Sequence, residues 1–284
     1  MHNKNGLRLA VDIGGTFTDT VLVDGRGQIL ATTKTPTTPD NPTLGALDGA
    51  KRVLAEAAVD WSQIDGFIHG TTLATNALIE RRGAVVVTVT TEGFRDILEI
   101  AYERRYSQYD INLVKPDLIV PRSRAFTIRG RIDARGRELE PLDEESLARL
   151  VEDLTASGAE AVAICLMHAY ANPAHELRLR DLLQARMPDL VISLSHEVSP
   201  EAREFERLST TIANAYIQPQ MASYLADFQG RFSDKGLTCP ILMMTAGGGM
   251  TTMETAARLP IRLVESGPAG GAILAARIAA ETGE

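Results

Sequence analysis

An α/β architecture is predicted by three features of the sequence. The opening residues read as a three-stranded meander, strand-length apolar runs alternate with segments of helical periodicity from Gly66 to Ser195, and a chain of 284 residues, at roughly 150 per domain, makes about two domains. The run Leu7–Ile13 is short, mostly apolar and ends in glycines. Thr20–Val23 follows before the turn Asp24-Gly25, and Gln28–Thr33 completes the meander. A Pro/Thr/Asp-rich stretch, Pro36–Pro42, leads into a helix over Thr43–Ala58. Next come a strand at Gly66–His69, a helix over Thr71–Arg81 and a β-branched strand at Ala84–Val89. Tyr102–Arg137 is less regular, with a strand near Ala125–Arg131. Asp143 followed by Glu144 and Glu145 is a helix start, because an Asp cap satisfies open amides and acidic side chains suit the positive dipole end. That helix runs to Ala156. A strand at Ala161–Met167, a helix at Ala174–Arg186 and a strand at Leu190–Ser195 restore the alternation. From Ser199 a long helical pattern reaches Phe232, with Pro219 as the point where it would break, before a strand at Ile241–Met244, the glycines 247–249 and a helix over Pro268–Ala280. The expected division is a first α/β lobe over 1–195 and the start of a second over 196–284, with too few strands to close a sheet of its own.

Composition narrows the function. With 29 basic against 37 acidic side chains the net charge is −8, so the bulk surface offers a polyanion nothing and nucleic-acid binding is not expected. Cys165 and Cys239, each inside or beside an apolar run, read as core thiols in a reducing compartment. The polar start and the lack of an apolar run of about 18 residues predict neither a signal peptide nor a membrane span, and the cytoplasm is the default location.

The segment Asp12-Ile13-Gly14-Gly15-Thr16-Phe17-Thr18-Asp19 sits between two strands of the predicted hairpin. Adjacent glycines let backbone N–H groups converge, and two threonine hydroxyls add donors, so the loop can cradle phosphate oxygens. Asp12 would repel phosphate itself; its fitting task is to hold Mg²⁺ or its waters. The plain alternative is a Gly-Gly hairpin turn with Asp12 exposed. Further on, Gly70 ends a strand and Thr71 and Thr72 open a helix, which gathers amides and hydroxyls suited to an anionic or carbonyl group, with Asn76 one turn along. Here too there is a plain alternative, in which one threonine only caps the helix. In Pro268-Ala269-Gly270-Gly271-Ala272 the small side chains permit close helix approach, although an ordinary helix with a fraying first turn accounts for them equally well.

Asp-x-Gly-Gly-Thr between two strands resembles the first phosphate loop of the actin/Hsp70/sugar-kinase superfamily. Three segments in order narrow this: His69-Gly70-Thr71-Thr72-Leu73-Ala74-Thr75-Asn76 with its continuation to Gly83, Thr91-Glu92-Gly93-Phe94-Arg95-Asp96, and Glu265-Ser266-Gly267-Pro268-Ala269-Gly270-Gly271. Together they resemble the hydantoinase A/5-oxoprolinase family, N-methylhydantoinase A-like and related to the ATP-binding subunits of ketone carboxylases, over about Leu7–Ala280. The resemblance implies a ribonuclease H-like, actin/Hsp70-type ATPase lobe with an incomplete second α/β lobe, and ATP with Mg²⁺ as cofactors. It implies Asp12 as catalytic group and metal ligand, Thr72 as a second catalytic group, and Gly14, Gly15, Thr16, Thr18 and Asp19 at the nucleotide. It places His69, Thr71 and Asn76 at the substrate and Gly267, Gly270 and Gly271 between lobes that hinge. The implied reaction is phosphorylation of a cyclic amide or imide carbonyl for hydrolytic ring opening, with a hydantoinase B-type subunit as partner in a hetero-oligomer. The other readings are the ATP-binding subunit of a ketone carboxylase of the acetone or acetophenone type, a sugar or acetate kinase, and a non-catalytic nucleotide-binding or partner-docking module. The family's second Asp-x-Gly-Gly-Thr loop and adenosine-binding glycines would follow Ala280, and this chain stops at Glu284. The expectation is therefore the N-terminal part of a larger polypeptide or a split gene, inactive alone.

Other polar clusters suggest less. The spacing of His168 and His175 matches no metal pattern, Arg104, Arg105, Arg122, Arg124 and Arg129 read as a solvated loop, and Glu201, Glu204 and Glu206 as a soluble helix face.

Overall fold

The computed structural model describes residues 6–102 and 107–283; Arg104 and Arg105 lie outside the described residues. The meander is β1 (Arg8–Ile13), β2 (Phe17–Val23) and β3 (Ile29–Pro36), followed by α1 (Pro42–Glu56), β4 (Gly66–Thr71) and α2 (Leu73–Ile79). Then come β5 (Val86–Thr91), α3 (Ile97–Ile100), β6 (Ala125–Ile128), the ribbon β7 (Arg131–Ile132) and β8 (Glu138–Glu140), and α4 (Glu144–Ser157). After these follow β9 (Ala161–Cys165), α5 (Ala174–Arg186), β10 (Val191–Leu194), the single turn α6 (Ser195–Val198) and α7 (Glu204–Ser233), which continues through Pro219 without a break there. The last elements are β11 (Ile241–Met244), β12 (Met250–Thr252), α8 (Met253–Arg258) and α9 (Ser266–Thr282). Contacts divide the chain into two compact units, 6–80 with 220–283, and 81–219.

This line differs from the division expected at residue 195, for a reason visible in strand pairing. In the first unit the sheet order is β12-β11-β4-β1-β2-β3, and β11 pairs parallel with β4, Ile241 opposite Phe67. Residues assigned by sequence to a separate lobe thus extend the first sheet. The meander strands are antiparallel and β1–β4–β11 parallel. Alternation sets the two faces: Leu9, Val11 and Ile13 of β1 are buried beside Phe67 and His69 of β4, while Arg8 and Asp12 point the other way. Helix α1, opened by an Asn41 cap whose side chain accepts from the Thr43 N–H, packs on the meander. Phe228 and Phe232 of α7 close over Phe67 at ring-centroid distances of 5.8 and 5.0 Å.

The second unit has a four-stranded parallel sheet, β10-β9-β5-β6. Every residue of β5 and β9 is buried, as central strands of a parallel sheet require. Leu147, Leu150 and Leu154 of α4 and Leu179 and Leu183 of α5 complete that core. As expected, Asp143 caps α4, its carboxylate accepting from the Ser146 N–H at 2.8 Å. Cys165 is buried, which pushes its thiol pKa up to about 12, and no disulfide joins it to Cys239. His175 bonds Glu138 at 2.7 Å and His168 lies 3.3 Å from the Tyr170 hydroxyl, and no metal-holding group of three or more His, Cys, Asp or Glu exists among the described residues. Among them, too, no helix is long and apolar enough to cross a membrane.

Candidate active site

The outer face of the first sheet carries a row of residues in register. Gly70 of β4 lies opposite Asp12 of β1, Asp12 opposite Asp19 of β2, and Asp19 opposite Lys34 of β3. Lys34 donates to Asp19 at 2.7 Å. Among the described residues no cation pairs with Asp12 in this way. Partial burial raises its carboxyl pKa above the usual aspartate range, Asp19 raises it further, and Lys34 pulls it back only in part. Two carboxylates facing each other across antiparallel strands destabilise the pair, and a cation beside them would relieve it.

Gly70, Asp12 and Asp19 of this row form one wall of a cavity of about 360 Å³. Thr71 and Thr72 border it at the end of β4, and Ser266, Gly267, Gly270 and Gly271 from the first turns of α9 border it opposite. A Cβ at Gly267 or Gly271 would meet nothing within 4 Å, so a methyl there would project into open space at the cavity wall. At Gly70 a Cβ would lie 2.8 Å from Asp12 Oδ1; the absent side chain is what lets the carboxylate lie over β4.

The structure brings together Asp12, Asp19, Thr71, Thr72, Gly267, Gly270 and Gly271, and corrects several other expectations. His69 is fully buried. Its Nδ1 bonds the Val11 carbonyl at 3.1 Å and its Nε2 bonds the Tyr224 hydroxyl at 2.7 Å. A carbonyl only accepts, so Nδ1 carries the proton and Tyr224 donates to Nε2. Burial lowers the pKa to about 4 and keeps the ring neutral, stacked 4.3 Å from Phe228. His69 therefore supports the fold and has no free atom for a substrate. Thr18 faces inward beside it in the alternation, fully buried, its hydroxyl 3.1 Å from that of Thr37, and is no phosphate donor. The Gly14 N–H is spent on the Phe17 carbonyl at 3.0 Å, and neither Gly14 nor Gly15 adopts a positive φ. The glycine at 14 serves close approach, since a Cβ would lie 3.1 Å from the Phe17 carbonyl oxygen. Gly15 and Thr16 form the exposed tip and do not border the cavity. Asn76 links the two places: its Nδ2 donates to Thr72 Oγ1 at 3.3 Å and lies 3.9 Å from the position of a Cβ on Gly15.

The helix after β4 is shorter than expected, seven residues, and its opening donors are turned back to the sheet: the Thr72 N–H reaches the Ile13 carbonyl at 3.2 Å. Thr71 takes the capping role, accepting from the Leu73 N–H at 3.2 Å, while Thr72 makes no side-chain cap. Sequence reasoning missed Lys34 and Tyr224. Lys34 could have been paired with Asp19 by counting back through the meander, except that a register irregularity at Leu22/Val23 shifts the count. Tyr224, 155 residues from His69, left no local signal.

Comparison with known proteins settles the lineage. The hydantoinase/oxoprolinase N-terminal region matches residues 8–187 and the hydantoinase/oxoprolinase region matches 207–284. The chain belongs to the hydantoinase/oxoprolinase family. Caprolactamase subunit alpha of Pseudomonas jessenii is 34% identical over 94% of this chain and 39% of its own length. Arabidopsis thaliana 5-oxoprolinase 1 is 29% identical over 94% of this chain and 23% of its own. The nucleotide-free structure of acetone carboxylase, described as acting in ATP-dependent acetone carboxylation, superimposes with a TM-score of 0.87 at 26% identity, covering 98% of this chain and 41% of that one. The fold is thus the actin/Hsp70-type ATPase lobe that the glycine loop implied, and its family relatives include ATP-dependent enzymes. The chain spans about two fifths of the length of the caprolactamase subunit and of the acetone carboxylase chain.

Proposed function

We propose that this chain is the N-terminal part of an ATP-dependent hydantoinase/oxoprolinase-type subunit, which phosphorylates the carbonyl oxygen of a cyclic amide or imide so that water can open the ring. The observation that carries the reading is the Asp12–Asp19 pair facing a cavity whose far wall is a glycine-rich helix start. The donor set fits Mg²⁺, which takes one or two carboxylates and fills its remaining positions with water and phosphate oxygens. Bound there, the ion would offset charge on the phosphates. Asp12 would orient it directly or through water, Asp19 would be held by Lys34, and the open space at Gly267 and Gly271 would admit the nucleotide's charged end. Chemistry of this kind asks the protein mainly for position and charge. An amide carbon resists water because of resonance; a phosphorylated oxygen removes that resistance and departs as phosphate, while the nucleotide leaves as ADP. Gly267, Gly270 and Gly271 then serve close approach of a second lobe, and a B-type subunit supplies the hydrolytic step. The test is ADP release by the full-length subunit, with and without its B-type partner, on cyclic amides and imides against ketones with bicarbonate. Turnover on lactams or imides with a ring-opened product supports the reading. Turnover only on ketones assigns the chain to the carboxylases, and a stable phosphorylated sugar or acetate would make it a kinase.

A further inference from the structure

The second unit holds a separate pocket of about 330 Å³ whose wall includes Glu92, Arg95, Arg129, Arg149 and Asp153. Glu92 and Arg129 directly follow β5 and β6, so the pocket reaches the carboxyl ends of two adjacent parallel strands, where open α/β sheets bind ligands. Arg95 is the informative side chain. Its Nη2 donates to the Arg122 carbonyl at 3.1 Å, and Arg122 is itself clamped by Asp96 through bonds of 2.6 and 3.2 Å. The Arg95 guanidinium is thus positioned by a neutral acceptor, and its buried Nε–H has no partner among the described residues. A buried donor on a cation is costly to leave unmade. Arg129 and Arg149 add charge and are held only by loose exposed pairs, 4.0 Å from Glu140 and 3.8 Å from Glu145. The lining itself sets three guanidiniums against Glu92 and Asp153, and Glu140, Glu145 and Asp96 beside the same arginines offset them further. A cluster so nearly balanced suits a single negative charge rather than a dianion, and the planar fork of arginine matches a carboxylate.

We propose that this pocket binds a small molecule through one carboxylate, with Arg95 as the anchor. The proposal stands apart from the reaction proposed for the first unit, and either can fail without the other. Butyrate titrated into the purified full-length subunit and followed by calorimetry tests it, with inorganic phosphate and n-butylamine as parallel probes. Saturable butyrate binding is expected, stronger than that of either other probe. Arg95→Lys, which keeps the charge and loses the fork, and Arg149→Gln, on an exposed position of α4, should each weaken it by about tenfold. Arg52→Gln, an exposed arginine of α1, should leave it unchanged. Absence of saturable butyrate binding, equal affinity in both pocket variants and the unaltered chain, or tighter binding of phosphate or the amine would overturn the assignment.

Discussion

The two faces of the first sheet are built from the same short stretches of chain and do different work. On β1 and β4 successive residues diverge: Val11 and His69 go inward, His69 stacked on Phe228, whereas Asp12 and Gly70 go outward to the cavity. On β2, Thr18 goes inward and Asp19 outward. The inner face pairs the His69 ring with Val11 and Tyr224 and the Thr18 hydroxyl with Thr37, and leaves only neutral groups such as the buried Thr20 hydroxyl without a partner among the described residues. The outer face leaves charge unbalanced at Asp12. Unbalanced charge is tolerated where a ligand completes it. Motif proximity therefore does not distribute function evenly along a glycine loop; strand parity divides it.

The sharpest way to break this comparison is Asp12→Ala in the full-length subunit. ATP turnover should fall about a thousandfold, or about 4 kcal/mol of barrier, while the thermal midpoint holds or rises, since the substitution removes a repelled carboxylate. Near-normal turnover in a coupled ADP assay would undo the outer-face assignment. The inner face should behave in the opposite way. His69→Leu leaves Tyr224 without its acceptor and should lower stability by about 1–3 kcal/mol with turnover per folded molecule unchanged. The pH dependence has a definite sign. The folded-state pKa of His69 is about 4 against 6.5 unfolded, so between those values the unfolded chain binds the extra proton and stability falls as pH drops. At about 1.4 kcal/mol per unit the loss is on the order of 3 kcal/mol. Urea midpoints across that range would check it, and a pH-independent contribution from His69 would show the ring to be hydrated.

The elements and their order were legible because each leaves a local signature: the alternating apolar runs of β1 and β4, the Asp143 cap, the helix over Ala174–Arg186 found at its full extent. Asp12 was legible for the same reason, as a charged residue at the end of a strand beside two glycines. What stayed hidden depended on pairing between distant segments. The return of β11 to β4 cannot be read from either strand, and so the boundary near 195 follows the sequence regions and not the contacts. The buried Glu176 was equally silent. It reads as one charge on a helix, yet it accepts from the Leu166 N–H, the Ser195 hydroxyl and the backbone N–H of His196, and bonds that residue's ring Nδ1. Arg207, next to the Glu206 read as part of a soluble helix face, lies fully buried, donating to the Leu166 carbonyl and the Ser195 hydroxyl. Buried charge reveals itself only when its partners are assembled.

Two substitutions at the edge of the outer face sharpen the comparison further. Gly70→Ala places a methyl where Asp12 Oδ1 now lies, 2.8 Å from it. The carboxylate must swing aside, so the apparent affinity for Mg·ATP should weaken about tenfold, near 1.4 kcal/mol, with a smaller change in the unfolding midpoint. An unchanged metal titration in a folded Gly70→Ala protein would mean that the Asp12 position does not matter.

Thr72→Ala is expected to do least, and it discriminates between capping and chemistry. Since the Thr72 hydroxyl caps no amide and makes only long bonds, donating to the Ile13 carbonyl at 3.5 Å and accepting from Asn76 at 3.3 Å, its removal should cost stability well under the roughly 1 kcal/mol of a lost cap. Thr71→Ala, which removes the acceptor for Leu73, should cost that full amount. Thr72 does border the cavity and holds Asn76 at 3.3 Å, so its loss should show as a few-fold drop in kcat rather than in stability. A Thr72→Ala protein that lost as much stability as Thr71→Ala, with kcat intact, would place Thr72 with the fold and leave Asp12 alone at the end of its strand as the group facing the nucleotide.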